Sequence, residues 1–152
     1  MQSRPLSIRA LEGLTPRAQM SQGLVAARLA FTYWQRAFPE KEHQVPLAEA
    51  LSVVESFLVS TTLPPDAKAI AEAAYRAVSG CDLPPGDIQR SSGFAVAHIA
   101  MTPWLYASGN LQKVAHNAKV AVRYSESIFR WAGRESELEA ALVANAQEAR
   151  DA

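Results

Sequence analysis

Apolar residues recur along this chain at spacings of three or four, which places them on one face of an α-helix. Three series of this kind occupy the first half of the sequence. They are Met20, Leu24, Ala27, Phe31, Trp34 and Phe38, then Leu47, Leu51, Val54 and Leu58, and then Ile70, Ala74 and Val78. No stretch alternates apolar and polar residues as a half-buried strand does. The pattern therefore predicts an all-α protein.

Five prolines stand just before helical patterns and mark predicted helix starts. A proline in the first helical turn costs little, because its missing N–H would have no partner within the helix there. The first long helix is predicted to begin near Pro16 and to end by Phe38, the second to begin at Pro46, and the third to stop at Gly80. The five prolines are Pro16, Pro46, Pro65, Pro85 and Pro103.

The segment from Phe94 to Met101 is apolar on every side except for His98. A helix that is hydrophobic all round is typical of the middle of a bundle, where neighbours cover each face. We therefore expect a buried central helix here. His98, on the same side as Phe94 and Met101, should be buried with it.

Three further segments complete a predicted bundle of about six helices. A short turn starts at Thr102 and interrupts the central helix. Asn110 can cap a long helix that reaches Trp131, since asparagine side chains accept hydrogen bonds from first-turn N–H groups. Ser136 and Glu139 have capping-box spacing at the start of a last helix.

Composition fits a single domain over residues 1–152, with 49% apolar and 20% charged residues. No run is long enough to cross a membrane, and the N-terminus lacks the apolar core of a signal peptide. Cys81 is the only cysteine, which suits a reducing compartment. A pI near 6.8 argues against general nucleic-acid binding. We therefore expect a cytoplasmic protein with neither a membrane nor a nucleic acid as its partner.

Charges are sorted into four blocks along a chain whose net charge is zero. Residues 1–36 and 90–134 are basic, whereas residues 40–87 and the tail from Glu135 are acidic. Such segregation predicts either oppositely charged helices side by side or a surface with distinct acidic and basic faces that binds a partner.

The long helix that follows Asn110 separates into two arcs at about 100° per residue. One arc is apolar and consists of Leu111, Val114, Ala118, Ala121, Ser125, Ile128 and Phe129. The opposite arc holds a basic stripe with one acid: His116, Lys119, Arg123, Glu126 and Arg130. The four basic members are candidate partner-binding residues, because charge steers association with an acidic protein. An ordinary solvated face, or pairing with Glu49, Glu55 or Glu72 of the same chain, would also explain them.

Signals of catalysis and of metal binding are weak. His98 is a candidate for metal binding or proton transfer, but the sequence favours a hydrogen-bonded core histidine, since no second ligand follows at helical spacing. Glu40 and His43 form one Glu-x-x-His unit where di-iron bundles use two. We therefore predict no catalytic residue, metal or cofactor. The alternative is a small-molecule-binding or enzymatic bundle with a pocket near His98, Trp104 and Tyr106.

The segment AVAHIAMTPWLYASGNLQKVA, from Ala95 to Ala115, resembles a helix pair of all-helical immunity proteins of bacterial polymorphic toxin systems. The likeness rests on the small residues around Val96, His98 and Tyr106. It implies a cytoplasmic protein-binding module that binds and neutralises a toxin domain, with no chemistry of its own.

Overall fold

The computed structural model describes residues 4–84 and 86–151. It is all-α over these residues and has no strand. Six helices have eleven or more residues and two are shorter, which confirms the predicted bundle of about six. Their bounds are α1 Leu6–Arg9, α2 Pro16–Ala37, α3 Lys41–Ser60, α4 Ala67–Ser79, α5 Arg90–Ala100, α6 Thr102–Ala107, α7 Leu111–Trp131 and α8 Glu135–Asp151.

Helices α2, α5 and α7 pack against one another at the centre of the molecule. Helices α3 and α4 cover one side of this trio through α5, and α1 and α8 cover the other side through α7 and α2. Helix α5 contacts α2, α3, α4, α6 and α7, which confirms it as the central helix. It is not covered all round, because Phe94 and His98 are only half-buried. The prediction that His98 is fully buried is therefore wrong.

Two glycines allow the central helices to approach closely. A Cβ atom on Gly23 of α2 would lie 2.4 Å from Cδ1 of Ile99 on α5. A Cβ atom on Gly93 of α5 would lie 2.7 Å from the ring of Trp34 on α2. Both distances are shorter than van der Waals contact, so a side chain at Gly93 would press on the rigid Trp34 ring, and one at Gly23 would displace the terminal methyl group of Ile99.

Several predicted helix ends are confirmed. The Thr15 side chain accepts a hydrogen bond from the Ala18 N–H, and Pro16 opens α2. The Asn110 side chain accepts from the Lys113 N–H at the start of α7. Gly133, with φ of +72°, follows the end of that helix in the left-handed conformation that glycine favours.

The predicted start of the second long helix at Pro46 is wrong, because α3 begins five residues earlier at Lys41. Pro46 therefore lies inside the helix, where it removes one backbone hydrogen bond. Contacts with the end of α2 hold this first turn. The Trp34 indole N–H donates to the His43 carbonyl oxygen at 2.9 Å, and the Gln44 side chain donates to the Phe38 carbonyl oxygen at 2.9 Å.

The predicted capping box of the last helix is also wrong. Helix α8 begins at Glu135, so Ser136 lies within it and is exposed. The Glu139 carboxylate does not reach back to a cap, because it accepts a hydrogen bond from Arg9 of α1 at 2.8 Å. The predicted start signal at Pro85 lies outside the described residues. Among the described helices, none is both long and apolar enough to span a membrane.

Candidate functional site

Helix α7 presents one face to the core and the opposite face to the outside. The predicted inner arc is confirmed for Val114, Ala118, Ala121, Ser125, Ile128 and Phe129, all of which are buried. Leu111 is the exception and is 44% exposed. It is the first residue of the helix, and the neighbouring helices do not cover it. We call the surface formed by His116, Lys119, Arg123 and Arg130 the outer face of α7.

Glu126 does not belong to the solvated arc that the sequence pattern predicts, since it is only 7% exposed. Helix α1 covers it. The Glu126 carboxylate accepts a hydrogen bond from the Leu6 backbone N–H at 3.3 Å, and Arg130 lies 3.5 Å from it. The first N–H groups of a helix have no partner within that helix, so the carboxylate supplies the acceptor that Leu6 needs.

Arg130 takes part in intramolecular ion pairs. Its Nε donates to Glu135 of α8 at 2.9 Å, in addition to its contact with Glu126. The hydrogen bond and charge of Arg130 lower the pKa of Glu135, and Glu135 in turn raises the pKa of Arg130. Arg130 therefore helps to join α7 to α8 and is not a free member of the basic stripe.

The remaining cations of α7 have no such partners. Within the described residues, four Lys or Arg side chains make no ion pair, hydrogen bond or contact over an aromatic ring. Three lie on α7 and one at the start of α3: Lys113, Lys119, Arg123 and Lys41. Lys113 was not predicted as a site residue, although it precedes His116 by one helical turn.

Among the described residues, no cation of the stripe pairs with Glu49, Glu55 or Glu72. Glu55 pairs with Arg28 of α2, and Glu72 lies 3.9 Å from Arg76 on its own helix. The ion pairs of Glu55, Glu139 and Glu135 join neighbouring helices of opposite charge, as one interpretation of the charge blocks predicts. The outer face of α7 contributes little to these ion pairs. Of its four residues, only Arg130 forms an ion pair with another described residue.

A groove of about 300 Å³ borders the outer face of α7 on the side of α1. His116 and Lys119 line one wall, and Ile8 and Leu11 are among the residues that line the other. The nearest acid in this groove, Glu12, forms a two-bond ion pair with Arg4 at 2.6 Å. The groove therefore combines apolar surface with a lysine that has no acidic partner.

Four aromatic side chains lie on the other flank of α7, and we call them the ring cluster. Tyr124 of α7 stacks on Phe94 of α5, with ring centroids 5.5 Å apart, and lies 5.5 Å from His98. Tyr75 of α4 completes the group at 6.0 Å from Phe94 and 6.3 Å from His98. These are ordinary distances for packed rings. Sequence patterns did not single out Tyr75 or Tyr124.

His98 is held in one orientation within the ring cluster. Its Nδ1 donates to the Phe94 carbonyl oxygen at 2.7 Å, because a carbonyl can only accept. Burial lowers the pKa of His98, which the hydrogen bond to Phe94 partly opposes and the charge of His116 reinforces. The residue is therefore a neutral, half-buried histidine near neutral pH.

The predicted pocket near His98, Trp104 and Tyr106 is not formed by these three residues together. Trp104 lies under the Lys68 ammonium group, which is 4.7 Å from its ring. Tyr106 packs against Phe57 with ring centroids 5.7 Å apart. Trp104 and Tyr106 belong to a small core cluster with Met20, Leu105 and Val114, whereas the rings that pack around His98 are those of Tyr75, Phe94 and Tyr124.

Metal-ligand residues are dispersed in the described part of the chain. Glu40 immediately precedes α3 and His43 lies in its first turn, where the nearest acid to the His43 ring is Glu42 at 3.6 Å. No group of three or more histidine, cysteine or acidic side chains converges among the described residues.

Comparisons with protein-family models, with curated proteins and with solved structures gave no match to this chain. The resemblance of residues 95–115 to immunity proteins therefore stays a prediction.

Proposed function

We propose that the protein binds an acidic partner protein through the outer face of α7. The observation that carries the proposal is the distribution of cations that have no partner among the described residues, since three of the four lie on this one helix. Lys113 and Arg123 are exposed and Lys119 is half-buried, and no acid stands between residues 90 and 126 of the sequence. A surface of one sign attracts a partner of the opposite sign and orients it during the encounter.

The narrower form of the proposal is an immunity protein that neutralises a toxin domain. It rests on the resemblance of residues 95–115 and on the charge of α7. A binding antidote needs no catalytic residue of its own, because it acts by covering the surface of its target.

A crosslinking experiment followed by binding measurements tests the proposal. A photo-crosslinking amino acid in place of Arg123 should capture the partner in the native cell. The same amino acid in place of Val59, which is 82% exposed on α3, should not. The captured protein is then purified, and its association with the wild-type chain is measured at several salt concentrations.

Two charge reversals provide a matched pair for this measurement. Arg123→Glu and Lys41→Glu each reverse one unpaired cation and change the net charge equally. We expect Arg123→Glu to slow association by about tenfold at low salt and to weaken the salt dependence, whereas Lys41→Glu leaves both near wild type. Equal effects of the two variants, or no effect of either, would contradict a docking role for α7.

A further inference from the structure

We infer that the ring cluster is the apolar anchor site of the docking surface, and that it takes a large apolar side chain flanked by carboxylates on an acidic partner protein. The inference rests on the proposed function, because it extends the same surface from charge to apolar contact. Four observations support it: the exposure of the rings, their outward polar atoms, their continuity with α7 and the charge around them.

The ring cluster leaves aromatic surface open to solvent. Tyr75 is 49% exposed although its ring touches two others, and Phe94, His98 and Tyr124 are half-buried. Aromatic groups contribute large contact areas at protein interfaces, and tyrosine is enriched among the residues that dominate binding energy. An exposed set of four packed rings is thus already in place before a partner arrives.

Polar atoms of the cluster also point outward. The Tyr124 hydroxyl and Nε2 of His98 make no hydrogen bond to any described residue. Neither atom is buried without a partner, so both reach solvent. The Tyr124 hydroxyl can donate to a carboxylate, whereas Nε2 of neutral His98 can only accept, so the hydroxyl is the donor that an acidic segment meets at the rim of the rings.

The cluster is continuous with the outer face of α7. His116, Val120 and Tyr124 follow one another at intervals of four residues, so they form one row along the helix. The charge of His116 acts on His98 across this row. Arg123 lies beside Tyr124, one residue earlier in the helix. The rings therefore border the outer face of α7 beside His116 and Arg123, whereas Lys119 lies towards the α1 groove on the opposite flank.

The charges near the ring cluster indicate which kind of partner segment would bind there. Arg123, next to Tyr124 in the sequence, has no acidic partner among the described residues, whereas the acid one turn before Tyr75, Glu72, is paired with Arg76. An apolar segment that carries its own acids complements this arrangement, and a basic or purely apolar one does not. Protein–protein interfaces commonly place aromatic anchors at the centre and charged residues at the edge.

Two synthetic acidic peptides test the inference on the intact protein. Both consist of glutamates, with a central phenylalanine in one and an alanine in the other. Nuclear magnetic resonance follows the signals of α7 and of the four rings during titration. We expect both peptides to shift signals around Lys119 and Arg123, and only the phenylalanine peptide to shift the rings of Tyr75, His98 and Tyr124.

A substitution in the cluster measures the contribution of the anchor site. Tyr75→Ala should reduce the affinity for the phenylalanine peptide about tenfold, to near that of the alanine peptide. Val59→Ala, at an exposed apolar residue on α3, should leave it unchanged. Tyr75→Phe retains the ring, so it should keep most of the affinity even if Tyr75→Ala disturbs folding.

The outcomes separate the two proposals. Equal affinity of both peptides, with unmoved ring signals, would overturn the anchor site and leave the charged face of α7 standing. Unmoved signals along α7 with either peptide would overturn both. Ring shifts that persist with the alanine peptide would also contradict the inference, because the central apolar side chain would then not be what the rings bind.

Discussion

Gln22 lies at the point where α1, α2 and α8 meet, and it is completely buried. Its side-chain amide donates to the carbonyl oxygens of Ala10 and Leu142, both at 2.9 Å. Its oxygen accepts from the Asn145 side chain at 2.8 Å. A buried amide is stable only when its donors and acceptors are paired, and here three bonds to two other segments satisfy it.

Replacement of Gln22 by leucine should therefore destabilise the fold, although leucine is the more hydrophobic residue. The Ala10 and Leu142 carbonyl oxygens lose the amide that donates to them, and the Asn145 amide keeps only its bond to Ser21. We expect a loss of about 2–3 kcal/mol in the free energy of unfolding, measured by urea denaturation. Gln19→Leu is the control, because Gln19 is half-buried and makes one long bond of 3.4 Å. Similar losses in the two variants would contradict this role of Gln22.

His98 is a second residue with a testable effect, because it makes the free energy of unfolding depend on pH. Burial lowers its pKa in the folded protein below the ordinary value of 6.5. The unfolded chain therefore binds this proton first as the pH falls, and protonation favours unfolding. The contribution of neutral His98 to stability is fully present above about pH 6.5 and is lost as the pH falls towards the lower folded-state pKa.

His98→Gln should remove this component of the pH dependence. Urea denaturation of the wild type at about pH 7.5 and about pH 5.5 should show a larger loss of stability than the variant shows over the same interval. The difference between the two profiles reports His98 together with its interaction with His116. Identical pH profiles would show that His98 titrates alike in the folded and unfolded states.

At the scale of the helices, local signals in the sequence account for most of the fold. The 3–4 spacing of apolar residues and the caps at Thr15 and Asn110 act within one or two turns, so they can be read without knowledge of the partners. The start of α3 could not be predicted in this way. It depends on the bond from Trp34 to the His43 carbonyl oxygen, which forms only after α2 and α3 have packed.

The candidate site shows the same division. The basic stripe of α7 follows from helical periodicity, and its outward position agrees with the structure for His116 and Arg123. The burial of Glu126 depends on Leu6, which is 120 residues away in the sequence. The ring cluster combines residues of α4, α5 and α7. No local pattern brings those residues together, so the sequence did not reveal them.

Where α2, α4 and α5 cross, the space at position 93 is too small for a side chain, and this can be tested at Gly93. A Cβ atom there would lie 2.7 Å from the Trp34 ring and 2.8 Å from Cγ2 of Val78. Trp34 cannot move away without loss of its hydrogen bond to α3. Overpacking costs about 1–3 kcal/mol, and the better helix propensity of alanine offsets up to about 1 kcal/mol of it.

Gly93→Ala should therefore lower the free energy of unfolding by about 1–2 kcal/mol, as calorimetry or urea denaturation would measure. Ser91→Ala, on the same helix, is the control. Ser91 is half-buried and its side chain makes no hydrogen bond to a described residue, so its removal should have little effect. A melting temperature of Gly93→Ala at or above that of the wild type would show that the helices can separate at low cost.

At the scale of the whole molecule, the cations fall into two groups with different roles. Arg9 of α1, Arg28 of α2 and Arg130 at the end of α7 form ion pairs with acids of α3 and α8, and so join neighbouring helices. Those in the middle of α7 form none with described residues. The net charge of zero therefore includes two kinds of cation: those that form ion pairs between helices, and those that are available to a partner.

This division predicts unequal responses to charge reversal along a single stripe. Lys119→Glu combined with Arg123→Glu should leave the melting temperature near that of the wild type, because neither side chain has an intramolecular partner to lose and exposed charges contribute little to stability. Addition of Arg130→Glu should lower it clearly, since a third carboxylate would then stand beside Glu135 and the largely buried Glu126. Differential scanning calorimetry at low and high salt would compare the two variants, and salt should reduce the difference by screening the exposed repulsion. If the double variant were as unstable as the triple variant, Lys119 and Arg123 would stabilise the fold. The outer face of α7 would then have no unpaired cation available to a partner.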